Sequence, residues 1–502
     1  MNEMLQPGTA PNLEPRDLAR RLANKLLIDG KLVAPVNGKT FPIVSPATRE
    51  PVAEAARADA SDVDRAVAAA RKAQKAWGKR PARERGALVS ECGRLLTAHV
   101  EELGRLLALE TGKALRTEGR IEAGVLADVF TFYGGLGSEL KGETVPFNPN
   151  MLTVTLREPI GVVGAILPWN VPLLLMALKI VPALVAGNAM VVKSAEEAPF
   201  AVLRTCEIIS RLLPAGLVNV VSGFGEDCGA PLVAHPDVGK VTFTGSVDTG
   251  RIVYRTAAEK LIPVTLELGG KSPMIICEDA ELDRVVDGAM SGMRFTRQGQ
   301  SCTAASRIYV HQSLCDEFVK RLCARLDKLK IGDPLDEETD VGTIVSQDQF
   351  DRVQSYVRIG SETPGAKAHV CGTMSADGKL AKGYYMRPVV FTGLPGDSRL
   401  IREEIFGPVT VVTPWSDFDA VIDLANDSAF GLAATIWTND LKKAMQAIHR
   451  LEAGFVQVNQ NLVVQPNLSY GGFKQSGLGK EASLEAMLEH FTRKKTAIVN
   501  MQ

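Results

Sequence analysis

Residues 161–193 read GVVGAILPWNVPLLLMALKIVPALVAGNAMVVK, and their pattern decides the architecture. GVVGAIL is a short apolar run of strand length. Pro172 to Ala186 is apolar over a helical length and begins with proline, which fits the first turn of a helix, and AMVVK is a second apolar run. A strand apolar on both sides has to be covered on both sides, which is the situation of a parallel strand in an α/β sheet. The alternation then continues with a helix from Pro199 to Leu213, the strand LVNVV, a short helix after Gly223, the strand KVTFTG, a helix from Val247 to Ala258 and the strand PVTLEL. Five such strands separated by helices predict a doubly wound parallel sheet of nucleotide-binding type, with its ligand at the carboxyl ends of the strands.

Outward from this core, a second α/β pattern runs from about Lys271 to Tyr470, with strands PMIIC and RIYVH and a helix from Leu314 to Leu329. On the amino-terminal side a short arm carries one helix around Arg16 to Lys25. Two hairpin-like stretches follow, and then a helix capped by Ser61 with Val63, Ala66, Val67 and Ala70 on one face. VPFNPNMLTVTLRE (145–158) and TAIVNM (496–501) read as isolated strands outside both domains, the kind of edge that pairs in oligomers. The expected division is a cofactor-binding domain over 1–140 and 159–270, a catalytic domain over 271–470, and an oligomerisation element over 141–158 and 487–502. Residues 471–486 return to the cofactor domain.

The 502 residues exceed what one core organises, and 57 Lys+Arg against 58 Asp+Glu leave a net charge of -1. That balance offers no footprint for nucleic acid or for an anionic membrane surface, so a small molecule is the expected partner. Eight cysteines without a C-x-x-C pair or a histidine partner argue against a metal site or a disulfide framework, and for a reduced, cytoplasmic setting. The start, MNEMLQPGTAPNLEP, lacks the basic and apolar regions of a signal peptide. Val171 to Gly187 is apolar except for Lys179, but it is shorter than the roughly 20 residues of a spanning helix, so a buried helix is expected.

Four local signals carry chemistry. Gly245-Ser246-Val247-Asp248-Thr249-Gly250 follows a strand and opens a helix, as a phosphate-holding turn would, although a plain glycine-rich turn reads the same way. Cys302 lies in the small, polar stretch QGQSCT, the least core-like setting of the eight cysteines, where a thiol could act as a nucleophile or simply be exposed. Glu267 ends a buried-looking strand before two glycines, a place for a general base or for a structural ion pair. Asn170 ends another strand, where its amide could donate to an oxyanion or cap the next helix.

Together these residues resemble the aldehyde dehydrogenase superfamily from about residue 25 to 500. The matching stretches are LPWN (167–170), KSAE (193–196), FTGS (243–246), ELGGK (267–271), QGQSC (298–302), EEIFGPV (403–409) and YGGFKQSGLGKE (470–481), in the family's order and spacing. The resemblance implies an NAD(P)-dependent, non-acylating enzyme. Cys302 is then the nucleophile, Asn170 and the Cys302 N–H form the oxyanion site, Glu267 activates water against the Cys302 thioester, and Lys179 and Glu481 pass protons. It also implies a cofactor held by Lys193 and Glu196 at the adenosine ribose and by Gly245 and Ser246 at the pyrophosphate. Glu404 and Phe406 would grip the nicotinamide end, with Leu167, Trp169, Gly225 and Leu268 lining the groove. The Glu196 carboxylate favours NAD over NADP.

The implied substrate pocket comprises Val171, Leu178, Thr296, Arg297, Ser301, Thr303, Val464 and Tyr470. Many relatives have aromatics at Val171, Leu178, Thr296 and Val464, so a wider tunnel is expected. Arg297 is either a guide for an anionic aldehyde or half of an ion pair. A homodimer or homotetramer is implied as well. On the residues alone, a CoA-acylating relative and a catalytically silent relative of the fold stay open.

Overall fold

The computed structural model describes residues 14–374, 378–461 and 465–502. In it the strands Val162–Ile166, Ala189–Lys193, Val218–Val221, Val238–Thr244 and Val264–Glu267 lie parallel, in the spatial order third, second, first, fourth, fifth. Nearly every residue of these strands is buried, because helices cover both faces. The winding reverses between the first and the fourth strand, where diverging loops leave room for a ligand. The hairpin Leu26–Ile28 and Lys31–Val33 extends one edge in antiparallel fashion, and Gly477–Leu478 closes the other against Leu266 and Glu267.

A second sheet has six parallel strands in the order Val389–Thr392, Val409–Trp415, Arg307–His311, Pro273–Ile276, Ala433–Trp437, Phe455–Val458, with Lys367–Val370 antiparallel at one edge. The expected α/β class with a doubly wound first sheet is therefore the observed one. The apolar helix spans Pro172–Val185 with Lys179 fully buried. Among the described residues, no helix is long and apolar enough to cross a membrane.

Two local readings are corrected. The long amino-terminal helix runs Ala60–Trp77 and is capped by Asp59 rather than Ser61. The Asp59 carboxylate accepts from the Ser61 N–H, and Asp62 completes a capping box, so the shorter Ser61 side chain falls inside the first turn. The two strands expected to be isolated pair with each other: Met151–Pro159 and Thr492–Asn500 form an antiparallel ribbon in continuous register from Met151↔Asn500 to Pro159↔Thr492. Leu152, Leu156, Ile498 and Val499 remain exposed on that ribbon.

Candidate active site

The stretch 294–302 is held in a shape that its sequence alone would not choose. Arg294, Gln298 and Gly299 have φ of 55°, 56° and 62°, in the left-handed region that costs a non-glycine residue energy unless its surroundings hold it there. Two glutamines supply that hold. Gln298 Nε2 donates to the Gly342 and Met386 carbonyls at 2.8 and 3.2 Å, and Gln300 Oε1 accepts from the Val345 N–H at 3.0 Å. At Gly299 a Cβ would stand 2.1 Å from the Gly407 carbonyl oxygen, so only glycine fits. The loop therefore delivers Cys302 at a defined place, with its Sγ 3.5 Å from Tyr470 Oη. Burial pushes the Cys302 thiol up to about 11 despite the Tyr470 hydrogen bond, so it rests protonated and needs a base.

The two glycines after Glu267 explain how the end of its strand comes close to Cys302. A Cβ on Gly270 would lie 2.1 Å from the Cys302 carbonyl oxygen, and one on Gly269 would lie 2.4 Å from Glu404 Oε2. Bare backbone is what lets the end of this strand press flat on the catalytic loop. Glu267 is 3% exposed and neither of its carboxylate oxygens has a hydrogen-bond partner among the described residues. Burial holds its carboxyl well above the usual range; the Glu481 charge adds to this, while Lys179 and Lys480 oppose it. This is not the ion-paired structural glutamate that the local sequence also allowed.

Asn170 does not cap the following helix, whose N-cap is Val171 without a side-chain bond. Its Nδ2 instead donates to the Gln300 carbonyl at 3.2 Å, which places the amide beside the Cys302 loop. Its own carbonyl accepts from Lys113 Nζ at 2.8 Å, and Lys113 is paired with Glu122, which in turn accepts from the Leu173 N–H at 2.8 Å. This buried pair positions Asn170 and was missed in the sequence, because Lys113 and Glu122 sit among Arg116, Glu118 and Arg120 and nothing local separates the buried charges from the others. Lys179 is paired with Glu481, whose Oε1 also accepts from Thr242 Oγ1 at 2.8 Å. Glu481 is carried by a backbone bridge to Tyr470, so base cluster and thiol partner share one segment.

A cleft of about 700 Å3 opens at the carboxyl ends of the first, second and fourth parallel strands, lined by Ile166, Lys193, Gly225, Phe243, Thr249 and Ile252 among others. Lys193 Nζ donates to Glu196 Oε1 at 2.6 Å. Ser246 caps the helix Val247–Glu259, accepting from the Thr249 N–H. The cap is a serine, and the acidic residue of the first turn, Asp248, points to solvent and pairs with Arg251, which leaves the first-turn amides suited to a phosphate. Gly245 donates its N–H to the Glu267 carbonyl at 3.1 Å, joining this turn to the base strand.

Leu167 and Leu268 are buried along the same strand ends. Further in, the rings of Trp169 and Phe406 meet edge-on with centroids 5.3 Å apart. Glu404 Oε1 accepts from the Gly270 N–H at 2.8 Å, and burial raises its carboxyl to about 7. An open cleft at a switch point, lined by Lys193, the Gly225 turn and the helix that Ser246 caps, fits a dinucleotide.

On the substrate side, Val171 and Leu178 are buried and Ser301 Oγ lies 3.2 Å from Thr303 Oγ1. Thr296 and Arg297 turn their polar groups to Glu118: Thr296 Oγ1 donates to Oε1, and Arg297 Nε donates to Oε2 at 2.8 Å. Arg297 is thus half of an ion pair with a carboxylate that local reading did not find. Val464 lies outside the described residues.

Comparison with known proteins agrees with this geometry. A profile described as "Aldehyde dehydrogenase family" matches residues 33–497. The chain is 40% identical to the benzaldehyde dehydrogenase, mitochondrial, of Antirrhinum majus, over 95% of this chain and 89% of that protein. It is 38% identical to the hydroxyisobutyraldehyde dehydrogenase of Mycolicibacterium austroafricanum, over 95% and 94% respectively. Its fold matches the NAD+ complex of an aldehyde dehydrogenase from Bacillus cereus with a TM-score of 0.93 and 37% identity, covering 98% of this chain and 99% of that one.

Proposed function

Because this chain belongs to the aldehyde dehydrogenase family, we propose that it oxidises an aldehyde to the carboxylic acid through a covalent intermediate on Cys302, with NAD as hydride acceptor. One observation carries the reading. The Gly269–Gly270 backbone presses the strand ending in Glu267 against the Cys302 loop, while Asn170 reaches the same loop from the opposite strand.

The cycle begins when Glu267, in its ionised form, takes the thiol proton and Cys302 Sγ attacks the aldehyde carbon. The new oxyanion is met by the second Asn170 amide hydrogen and by the Cys302 N–H, donors placed where charge develops. NAD, when bound, accepts the hydride, which leaves a thioester on Cys302. Once Glu267 has passed the thiol proton on, it removes a proton from water as the water attacks the thioester; the carbonyl re-forms by expelling the Cys302 thiolate, which takes that proton back from Glu267. Acid and free enzyme result. Lys179 and Glu481 give the Glu267 proton a buried route onward.

In this reading Lys193 and Glu196 hold the adenosine ribose, Ser246, Gly245 and Gly225 frame the pyrophosphate, and Glu404 with Phe406, Trp169, Leu167 and Leu268 holds the nicotinamide end. The relatives' named substrates, benzaldehyde and hydroxyisobutyraldehyde, make aromatic and short branched aldehydes the first to assay. Val171, Leu178, Ser301, Thr303 and Tyr470 line the approach, and an acidic aldehyde in the same panel tests whether Arg297 acts on substrate. The eight free thiols support a reducing compartment, the cytoplasm in our reading. The exposed ribbon of 151–159 and 492–500 supports assembly as a dimer or tetramer.

Cys302→Ala decides the mechanism. It is expected to abolish aldehyde-dependent NADH formation while NAD binding persists, and turnover at the native rate would overturn the reading. CoA-independent release of acid separates it from acyl transfer to CoA.

A further inference from the structure

Lys240 is a second lysine sealed beneath the active site. It lies in the strand Val238–Thr244 and is 0% exposed, and its ammonium makes no hydrogen bond among the described residues. Thr242 is two residues further along the strand, on the same face, and donates to Glu481 Oε1 at 2.8 Å. Lys179 holds the same carboxylate, yet Glu481 Oε2 is also buried without a partner. The ring of Phe491 stands 5.5 Å from Lys240 Nζ and shields it from water. A buried cation and a buried carboxylate oxygen, both unpaired and acting on each other electrostatically, would be costly if they were merely leftover structure.

The charge count of the enclosed group suggests why they stay. Glu481 and Lys179 cancel. If Glu267 ionises, the group gains a negative charge in a region closed to water; Lys179 and Lys480 act on that charge directly, and Lys240 adds a further cation through Glu481. Burial pulls Lys240 down to about 7, with Glu481 resisting and Lys179 assisting, so its proton is exchangeable at neutral pH. Behind these charges stand Lys480, which acts on Glu267, and His490, whose Nε2 accepts from the Lys480 N–H at 3.2 Å. Glu489 faces His490, and Tyr133 and Tyr470 both feel Glu481.

Resting on the reading of Glu267 as the hydrolytic base, we propose that Lys240 is a positioning residue for that base: its buried ammonium balances Glu481 and acts on Glu267 through the Lys179–Glu481 pair. Lys240 touches neither substrate nor cofactor in this scheme. Its effect is on how readily Glu267 gives up a proton.

The test is the pH profile of kcat in the full enzyme, together with thioester accumulation on Cys302 by mass spectrometry, for Lys240→Met, Lys240→Arg and Glu267→Gln. Losing the cation makes Glu267 harder to ionise, so the rising limb for Lys240→Met moves to higher pH by about one unit. Its kcat below the limb therefore falls about tenfold, and thioester builds up there. Lys240→Arg keeps the charge and keeps the limb near its native position. If Lys240→Met fails to fold, Lys240→Gln carries the same expectation. A limb that stays in place, or that moves equally in the arginine variant, overturns the proposal, as does a lower melting temperature with no shift. Glu267→Gln separates the two levels: if it hydrolyses the thioester normally, the reading of the base falls and the role of Lys240 falls with it. If it stalls while Lys240→Met behaves as native, only the Lys240 proposal falls.

Discussion

Glu267, the base of the proposed mechanism, has the surroundings that role needs. An exposed glutamate titrates near 4.3 and is a poor proton acceptor, whereas this one is buried, has no hydrogen bond among the described residues and feels the Glu481 charge, so its neutral form persists to higher pH. The sign follows directly: the ionised base grows as pH rises through the elevated pKa. Acid release should therefore climb with pH along a limb lying above the ordinary carboxylate range. In Glu267→Gln that limb should disappear and thioester should accumulate, as steady-state rates across pH and intact-protein mass spectra would read.

Glu196 allows a second prediction at this scale. Its carboxylate, 2.6 Å from Lys193 Nζ, would repel a 2′-phosphate. Glu196→Gln should raise the NADP/NAD ratio of kcat/KM by about tenfold, the effect of removing one close like charge. The convergence of Cys302, Glu267 and Asn170 on one place was legible because Glu267 and Asn170 lie at or just past strand ends and Cys302 lies in a short loop motif. Glu118 was not, since its partner Arg297 lies 179 residues away and nothing local to either residue announces the other.

Elements place these residues more tightly than side chains alone could. The strand Val264–Glu267 ends in glycines whose missing Cβ atoms are replaced by the Cys302 carbonyl and the Glu404 carboxylate. Gly270→Ala puts a methyl 2.1 Å from the Cys302 oxygen and forces the two loops apart. A displacement of about 1 Å at a nucleophile costs on the order of a hundredfold in rate. We expect kcat/KM to fall by about that factor while the cleft still binds NAD, measured by fluorescence titration beside the kinetics.

The parallel strands and their helices were readable from apolar runs because two-sided burial keeps these strands mostly apolar. The capping of Ala60–Trp77 was not read correctly, since Asp59 and Ser61 are both good caps and only backbone geometry chooses between them. Nor was the pairing of Met151–Pro159 with Thr492–Asn500, because a match between distant strands leaves no local mark.

At the scale of the whole molecule, that ribbon presents apolar side chains to solvent although the chain around it is well buried. Ile498 and Val499 are 60% and 50% exposed, and Leu152 and Leu156 are similarly open. The proposed assembly would cover them. Leu156→Glu combined with Ile498→Glu should shift the protein to a smaller species by light scattering. The Cys302 site lies in another part of the chain, so NAD binding should survive in that species.

The Lys179–Glu481 pair also sets a timetable for biogenesis. Its members lie 302 residues apart, and the strand Met151–Pro159 likewise waits for Thr492–Asn500. At ~5–20 residues per second a ribosome needs roughly 15–60 s to make that interval. Throughout it, an ammonium destined for the dry interior has no counter-ion and a nine-residue strand has an open edge. The nascent chain therefore cannot seal its interior progressively from the amino-terminal side. Closure of the core around Lys179 and completion of the ribbon coincide late in synthesis, and the half-made chain is the form with the most unpaired strand edge.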